Sequence, residues 1–420
     1  MLKVYKYRIY PTNEQIEHFV QSMGCVRYLY NKALEAKIKH YETTGKSLTC
    51  FDLITTMLVE EKKNNEWLKI PYSQCLQMPF RNLDNAFQKF FRKISKFPTF
   101  KKKHSGHQSI QYSQNVRIDF KKNILRLPKI GNVKIVIDRE FNGKIKTCTV
   151  SKTPTNKFFI SILVDDGKEL PIKQPINETT SIGIDLGIKD FAILSNREKI
   201  SNPKFLGSKL QRLKVLQRRA SKKKKKGSNN RKKANLKVAK LYEKVTNQRA
   251  DFLHKTSTKL IRENQTIILE DLNIAGMMKN HCLARVISDV SWAKFITMLQ
   301  YKSEWYGKNL VQIGRFEPSS KMCSCCGTIN RDLTLKNRFW TCEGCKAEHD
   351  RDVNAAINIK KFGLIGALCA PGAASPNYGK NQILSRPERS AELVEMPEGA
   401  APKVRENKDR GDNKLLTKVK

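Results

Sequence analysis

Four cysteines arranged as two CxxC pairs are the clearest chemical feature of the sequence. Cys323 and Cys326 form the first pair, Cys342 and Cys345 form the second, and 15 residues separate the pairs. Thiolates on two tight turns at this spacing complete a tetrahedron around Zn²⁺. A redox pair or a set of unligated thiols is the alternative, and the doubled spacing favours one structural Zn²⁺ in a zinc ribbon.

Cys325 makes the first pair ambiguous, because a Cys323-x-Cys325 pair is also conceivable. The two-residue spacer between Cys323 and Cys326 matches that of the second pair, so we expect Cys325 to be a spare thiol. The other cysteines do not indicate a disulfide framework in a chain of this length. A zinc ribbon by itself leaves the function open, since it can grip nucleic acid or merely hold a loop.

Three acidic residues stand at positions where a carboxylate needs a partner. Asp185 lies in an apolar run, Glu270 ends a second apolar run, and Asp352 follows the cysteines at the start of an expected helix. An acid in a buried strand is costly unless it binds something. Each also has a structural explanation: Asp185 could close a turn, Glu270 could be a solvent-facing strand end, and Asp352 could be an N-cap.

Taken together, the three acids favour a catalytic metal site. The ends of two strands in one sheet and the start of a helix can bring three carboxylates within reach of two Mg²⁺ ions roughly 4 Å apart. Carboxylate oxygens are the hard ligands that Mg²⁺ prefers. Such a site would cleave a phosphodiester by activating water and stabilising the leaving oxygen.

The charge of the chain indicates its partner. There are 80 Lys and Arg against 39 Asp and Glu among 420 residues, a formal net charge of +41. Such an excess attracts polyanions and releases counterions from phosphates, which favours nucleic acid over a metabolic substrate or an anionic membrane. No apolar run is long enough to cross a bilayer, and the N-terminus lacks the apolar stretch of a secretory signal. We therefore expect a cytoplasmic protein that does not enter a membrane.

The first 167 residues predict a helical bundle inserted into a small β-barrel. The chain opens with an alternating strand over Tyr5–Ile9, and about five short strands with period-two alternation follow in 97–167. The opening strand could complete the barrel. Residues 1–10 and 97–167 are therefore assigned to the barrel, and residues 11–96 to the inserted bundle.

Helical spacing of apolar residues predicts the elements of the bundle. Thr12 and Gln15 form a capping box before the first helix, and Gly24 is expected to separate that helix from a second. A further amphipathic helix is predicted from Leu83 to Ile94, because Pro98 after it prevents the helix from continuing.

The second half of the chain predicts a buried sheet that carries two of the three acids. Its strands are expected at 182–186, 191–194, 266–270 and 310–313. A linker precedes this sheet at 168–179, a helix follows from Asp352 to Ile359, and the tail from 366 onward has the composition of a disordered segment.

A basic hairpin is predicted inside this half. Residues 201–250 contain 18 Lys or Arg and one acid, and they read as two long helices joined at 226–230. The positive charges cluster at the tip, on Lys222, Lys223, Lys224, Lys225, Lys226, Arg231, Lys232 and Lys233. A solvated, flexible charge run is the alternative, but this charge excess exceeds what solubility requires and favours contact with phosphates.

Several motifs in this order resemble the TnpB (OrfB) proteins of bacterial insertion sequences. The segments that carry the resemblance are 184–187, 269–273, 319–327 and 350–359, with 7–11 and 97–101 upstream, so that it covers about residues 1–365. The resemblance implies an RNA-guided DNA endonuclease related to the ancestors of type V CRISPR effectors. Asp185, Glu270 and Asp352 then match the family's catalytic triad.

The resemblance also implies a multidomain α/β architecture. A RuvC-like nuclease domain with a ribonuclease H-like fold would span 180–317 and 349–365, with the zinc ribbon inserted at 318–348, the barrel and bundle preceding it and a disordered tail at 366–420. Its partners would be a guide RNA from the transposon end and double-stranded target DNA next to a short motif. The expected nucleic-acid contacts, besides the basic hairpin, are Tyr5, Tyr7, Arg8, Lys101 and Lys102.

Two other functions stay open at this point. A DNA strand-transferase is one, because the three acids cannot separate it from a nuclease: both chemistries use two metal ions on this fold. A non-catalytic nucleic-acid binder or regulator of transposition is the other, and the intact triad argues against it. The sequence leaves the oligomeric state open.

Overall fold

A seven-stranded antiparallel sheet and a five-stranded mixed sheet organise the chain. The computed structural model describes residues 1–103, 108–223, 225, 227–315, 317–334 and 337–368. Most of the tail that was expected to be disordered, 369–420, lies outside these residues, as do Lys224 and Lys226 of the basic run. None of the helices in the described ranges is long and apolar enough to cross a membrane.

The first sheet has strand β1 at its centre. Its order is β2-β6-β7-β1-β5-β4-β3, and its strands are β1 Leu2–Tyr10, β2 Gln108–Tyr112, β3 Arg117–Asp119, β4 Ile124–Leu127, β5 Gly131–Val136, β6 Lys144–Lys152 and β7 Phe158–Asp165. Along β1 the odd-numbered Tyr7 and Ile9 point into the core, where they meet Ile160 and Ile135. The even-numbered side chains lie on the outer face, as period two requires.

The ladder of this sheet stays open among the described residues, since β2 and β3 are its edges and do not pair with each other. A small β-barrel was expected here. The inner face is instead covered by helices, which contribute Phe19, Met23 and Cys75 to the core, and by Phe141 from the β5–β6 loop.

Helices connect β1 to β2. They are α1 Asn13–Thr44, α2 Cys50–Asp52, α3 Leu58–Asn64 and α4 Ser73–Phe91, with a π-helical turn at Leu53–Met57 and a 3₁₀ turn at Glu66–Lys69. The capping box predicted at Thr12 and Gln15 is present. The break predicted at Gly24 is wrong, because Met23 and Val26 on either side of it are buried in the sheet core. That packing outweighs the roughly 1 kcal/mol that glycine costs inside a helix.

The second sheet has the order β10-β9-β8-β11-β12, and three of its strands, β8, β11 and β12, are parallel. Its strands are β8 Ser181–Asp185, β9 Asp190–Leu194, β10 Lys199–Ser201, β11 Thr266–Glu270 and β12 Asn309–Ile313. The four core strands predicted from apolar runs are therefore confirmed.

Helices cover both faces of the second sheet. They are α5 Leu210–Ser221, α6 Asn229–Glu263, α7 Ile274–Met277, α8 Ala284–Val290, α9 Trp292–Trp305 and α10 Arg351–Leu368. Leu260 of α6 and Phe295 of α9 pack on one face, and Ile359 and Leu364 of α10 pack on the other. A small hairpin, β13 Phe339–Thr341 and β14 Glu348–Asp350, lies between β12 and α10 in the chain.

Two glycines let α10 approach the sheet closely. A Cβ on Gly183 of β8 would lie 2.2 Å from the carbonyl oxygen of Ala356, and a Cβ on Gly363 would lie 2.3 Å from Ile268 Cγ2. Backbone therefore contacts backbone where α10 crosses β8. This close approach places the first turn of α10 beside the end of β8.

Replacing Gly183 with Ala should destabilise the fold by about 1–3 kcal/mol, because the added methyl overlaps backbone atoms that cannot rotate away. The matched control is Gly24→Ala, whose Cβ would meet only Arg27 Nη2 at 3.9 Å. That change should be neutral or stabilise the chain by up to about 1 kcal/mol. Urea unfolding of both variants measures the difference, and wild-type stability for Gly183→Ala would contradict the close contact.

Candidate metal centres

Asp185 and Glu270 lie at neighbouring strand ends. Ile184 pairs with Leu269 in the parallel ladder of β8 and β11, so the next residue on each strand is one of the two acids. Burial, followed by the charges of Glu270 and Asp352, raises the pKa of Asp185 to about 7, while Arg351 and Arg338 oppose the shift. The charges of the other two acids that the sequence singled out therefore act on Asp185.

Asp352 lies in the first turn of α10, but it does not cap that helix. Asp350 accepts hydrogen bonds from the backbone N–H groups of Asp352 and Val353, at 3.1 and 3.3 Å, and it also binds the ammonium of Lys199. The capping explanation considered for Asp352 is therefore wrong. Its carboxylate stays available for another partner.

Two arginines hold the carboxylate of Asp352. Arg338 Nη1 lies 2.8 and 3.2 Å from its two oxygens, and Arg351 donates to Oδ1 at 3.0 and 3.2 Å. No set of three carboxylates in the described ranges brings its oxygens within 4.8 Å of one another, whereas four thiols do. The structure thus places the three acids at neighbouring element ends without gathering their oxygens into one cluster, and Asp352 is paired with two arginines.

Glu270 is held by a hydroxyl from the segment that leads into the cysteines. Ser319 Oγ donates to Glu270 Oε1 at 2.5 Å, in the range of charge-assisted O–H···O⁻ bonds. Nothing in the spacing of the sequence connects these two residues, which are 49 positions apart. Sequence analysis could not have paired them.

The four predicted cysteines lie together. The sulfur atoms of Cys323, Cys326, Cys342 and Cys345 are all within 4.8 Å of one another, with 3.6 Å from Cys323 to Cys345 and 3.5 Å from Cys326 to Cys342. A tetrahedron with Zn–S bonds of about 2.3 Å has S···S edges of roughly 3.8 Å. The cluster can hold one Zn²⁺.

A histidine that the sequence analysis missed borders this cluster. His349 Nε2 lies 3.0 Å from Cys323 Sγ, and its ring packs on Trp340 with 4.8 Å between centroids. Cys323, Cys325 and His349 form a second group of possible ligands. This group has three members against four thiols, so the ligand set proposed from the sequence stays preferable on coordination number.

The expected nucleic-acid contacts on β1 need a correction. Tyr7 is 1% exposed and donates its hydroxyl to the carbonyl of Arg139, so it belongs to the core and cannot stack on a base. Tyr5 is half-buried against Phe141. Both point inward because side chains alternate along a strand.

Arg8 lies on the outer face of β1, where it meets aromatic residues that the sequence analysis did not select. Its guanidinium lies 5.0 Å from the ring of Tyr10 and 5.1 Å from that of Phe159, and Lys6 Nζ approaches Phe159 at 4.7 Å. Residues two positions apart on a strand share a face, so the sequence could have identified Tyr10 as a neighbour of Arg8. Phe159 could not have been found, since only strand pairing brings it there.

Lys101 and Lys102 lie next to α1. Lys101 is held by two backbone hydrogen bonds with the Asn31 side chain, and its ammonium lies 3.8 Å from the centroid of Tyr30. Lys102 is exposed and lines a cavity of about 200 Å³ together with Arg27.

The basic run lies between α5 and α6, as predicted. Lys222, Lys223, Lys225 and Lys232 are exposed, while Arg231 donates to the carbonyl of Lys223 at 3.0 Å and so braces the turn. The exposed ammonium groups are available to phosphates.

Three family models match the chain. One described as a probable transposase, OrfB of IS605, matches residues 160–281; a Cas12f1-like TNB domain matches 292–359; and a helix-turn-helix domain matches 1–46. In the structure residues 1–46 form β1 and the single long helix α1.

Curated relatives match over most of their length. A "putative RNA-guided DNA endonuclease" of Streptomyces pristinaespiralis is 40% identical over 397 residues, which are 92% of this chain and 97% of that protein. The "putative RNA-guided DNA endonuclease InsQ" of Escherichia coli (strain K12) is 29% identical over 386 residues, 88% of this chain and 94% of that protein.

The chain also resembles a solved structure. It is similar to a chain in the cryo-EM structure of the Cas12f1–sgRNA–target DNA complex, with a TM-score of 0.53 and 16% sequence identity. The match covers 83% of this chain and 83% of that chain. That likeness is one of fold. The 40% identity over nearly the whole of two chains goes further, and with the matching family models it places this chain in the TnpB (OrfB) family of the IS605 type.

Proposed function

We propose that the protein is an RNA-guided DNA endonuclease encoded by a transposable element. The observation that carries the proposal is the placement of Asp185, Glu270 and Asp352 at the ends of two adjacent strands and the start of one helix, where the charges of Glu270 and Asp352 act on Asp185, in a chain of net charge +41. The relatives named as putative RNA-guided DNA endonucleases support it. The guide would come from the transposon end, and cleavage would occur next to a short target-adjacent motif.

The three acids fit a divalent metal site. A carboxyl whose pKa is raised by burial and then by two other carboxylates is stabilised in its charged form by added positive charge, and oxygen donors suit Mg²⁺. Asp185, Glu270 and Asp352 would hold two Mg²⁺ ions, which supply activation of water and stabilisation of the leaving oxygen. The chain's own groups orient the acids: Ser319 holds Glu270, and Arg338 with Arg351 holds Asp352.

The four thiols would hold one structural Zn²⁺. The metal would join the turn at Cys323 to the hairpin of β13 and β14, and that hairpin leads directly into α10 and Asp352. The zinc would therefore stabilise the segment that presents a proposed catalytic acid, without taking part in the reaction.

Guided cleavage is preferred to DNA strand transfer and to non-catalytic binding because relatives that match over most of their length are named as putative RNA-guided DNA endonucleases, although one family model is described as a probable transposase. The discriminating experiment purifies the full chain with its co-purifying RNA, sequences that RNA, and adds plasmid DNA that matches its guide segment next to a randomised flank. Guided cleavage gives cut DNA with one enriched flanking motif. Joined products would support strand transfer, and bound but intact DNA would support a regulator.

Replacing Asp185, Glu270 or Asp352 with Ala should reduce cleavage by about 10³-fold or more, because the metal ions supply several kcal/mol of transition-state stabilisation. RNA binding should stay nearly unchanged. The matched control is Asp271→Ala: this acid follows Glu270 directly but binds Arg315 in a solvent-exposed pair. Full cleavage by any one of the three variants would remove that residue from the site.

Replacing Cys323, Cys326, Cys342 or Cys345 with Ser should release one Zn²⁺ per chain, since each change removes a thiolate ligand. Elemental analysis of the purified variants measures the loss. Cys325→Ser is the control and should retain zinc. Zinc lost from Cys325→Ser but kept by Cys326→Ser would mean that the ligand pairing is wrong.

Changing Lys222–Lys226 to Gln should weaken RNA binding and flatten the dependence of log K on log salt, by roughly 0.7–0.9 units per lost phosphate contact. Lys39 and Lys69, which are already paired with Glu35 and Glu66, serve as control substitutions. Binding titrations at several salt concentrations give the slope of log K against log salt for this variant and for the control variants. An unchanged slope would mean that the run is only a solvated loop.

A further inference from the structure

The segment that enters the cysteine cluster contacts the proposed active site through one side chain. Ser319 is 7% exposed, and its hydroxyl has a single proton, which it donates to Glu270 Oε1. Ser320, beside it, makes no side-chain hydrogen bond within the described part of the chain. Of these two adjacent serines, Ser319 is therefore the one whose hydroxyl hydrogen-bonds to an acid of the proposed metal site.

Buried asparagines of α10 hold this segment in place. Asn358, fully buried, donates to the carbonyl oxygens of Ser319 and Met322 at 2.8 and 2.6 Å. Asn354, 1% exposed, donates to Met322 and accepts from the backbone N–H of Ser324 at 2.8 Å. The backbone on both sides of Cys323 is therefore fixed to the helix that carries Asp352.

These bonds form one continuous path. It runs from the turn at Cys323 through Met322 and Asn358 to Ser319, and from the Ser319 hydroxyl to Glu270. Among the residues that the structure describes, Ser319 binds Oε1 of Glu270 and no hydrogen bond reaches Oε2, so the second oxygen can act as a ligand. A hydrogen bond to a ligating carboxylate fixes its orientation and is worth about 10–100-fold in metal affinity.

We propose that Ser319 is a positioning residue for the nuclease reaction: its hydroxyl orients Glu270 for metal binding, and α10 holds Ser319 through Asn358. The inference rests on the proposed function, because it needs Glu270 to be a metal ligand. Ser319 acts through Glu270 and does not touch the reacting atoms. The segment that leads into the cysteine cluster thus serves the metal site as well as the zinc ribbon.

The test uses the full-length, zinc-loaded chain and makes two measurements. EPR of free Mn²⁺ gives the affinity for Mn²⁺, and cleavage at several Mg²⁺ concentrations gives the half-saturating Mg²⁺ concentration. Ser319→Ala should weaken Mn²⁺ binding about 10-fold or more and raise the half-saturating Mg²⁺ concentration similarly, with a smaller loss of rate at saturating Mg²⁺. Ser319→Cys, which keeps the volume but replaces the strong O–H donor by a weak one, should behave like Ser319→Ala. Ser320→Ala is the matched control and should bind Mn²⁺ like the wild type.

The outcomes separate this inference from the proposed function. Wild-type Mn²⁺ binding by Glu270→Gln would show that the proposed metal site is wrong. If Glu270→Gln loses Mn²⁺ while Ser319→Ala keeps it, only the role of Ser319 is overturned. Wild-type behaviour of Ser319→Cys, or loss of zinc from Ser319→Ala, would also overturn it, because packing or ribbon folding would then explain the effect.

Discussion

The placement of three carboxylates at neighbouring element ends constrains the second half of the molecule. Two of them end adjacent parallel strands, and the third stands on a helix that two glycines allow to touch the sheet. The cost is visible in Asp185, whose pKa is raised by burial and by both other acids. Such an arrangement persists only if other groups supply compensating positive charge and hydrogen bonds.

The compensating groups come from the segment between β12 and α10. Ser319 from its start reaches Glu270, and Arg338 from before its hairpin reaches Asp352. Asp350 caps α10 and leaves the neighbouring Asp352 free of that task. The segment that contains the cysteine cluster therefore contacts two of the three acids, Glu270 and Asp352.

Two of the incorrect predictions share one cause. Gly24 was expected to end a helix, but the apolar residues on either side of it are buried against the first sheet. Tyr7 was expected to contact nucleic acid, but pairing of β1 with β5 and β7 turns it into the core. In both cases local sequence was outweighed by packing against elements far along the chain, which a local pattern does not contain.

The sequence by itself determined the chemistry that depends on residue type and short spacing: two CxxC pairs, three acids at element ends, the four strands of the second sheet and a basic turn between α5 and α6. These follow from ligand preference, periodicity and charge, all of which are local. Only the tertiary structure decided that Ser319 holds Glu270, that Arg338 holds Asp352 and that His349 meets Cys323. Each of these contacts joins different elements, and only the packing of the whole chain brings their side chains within hydrogen-bonding distance.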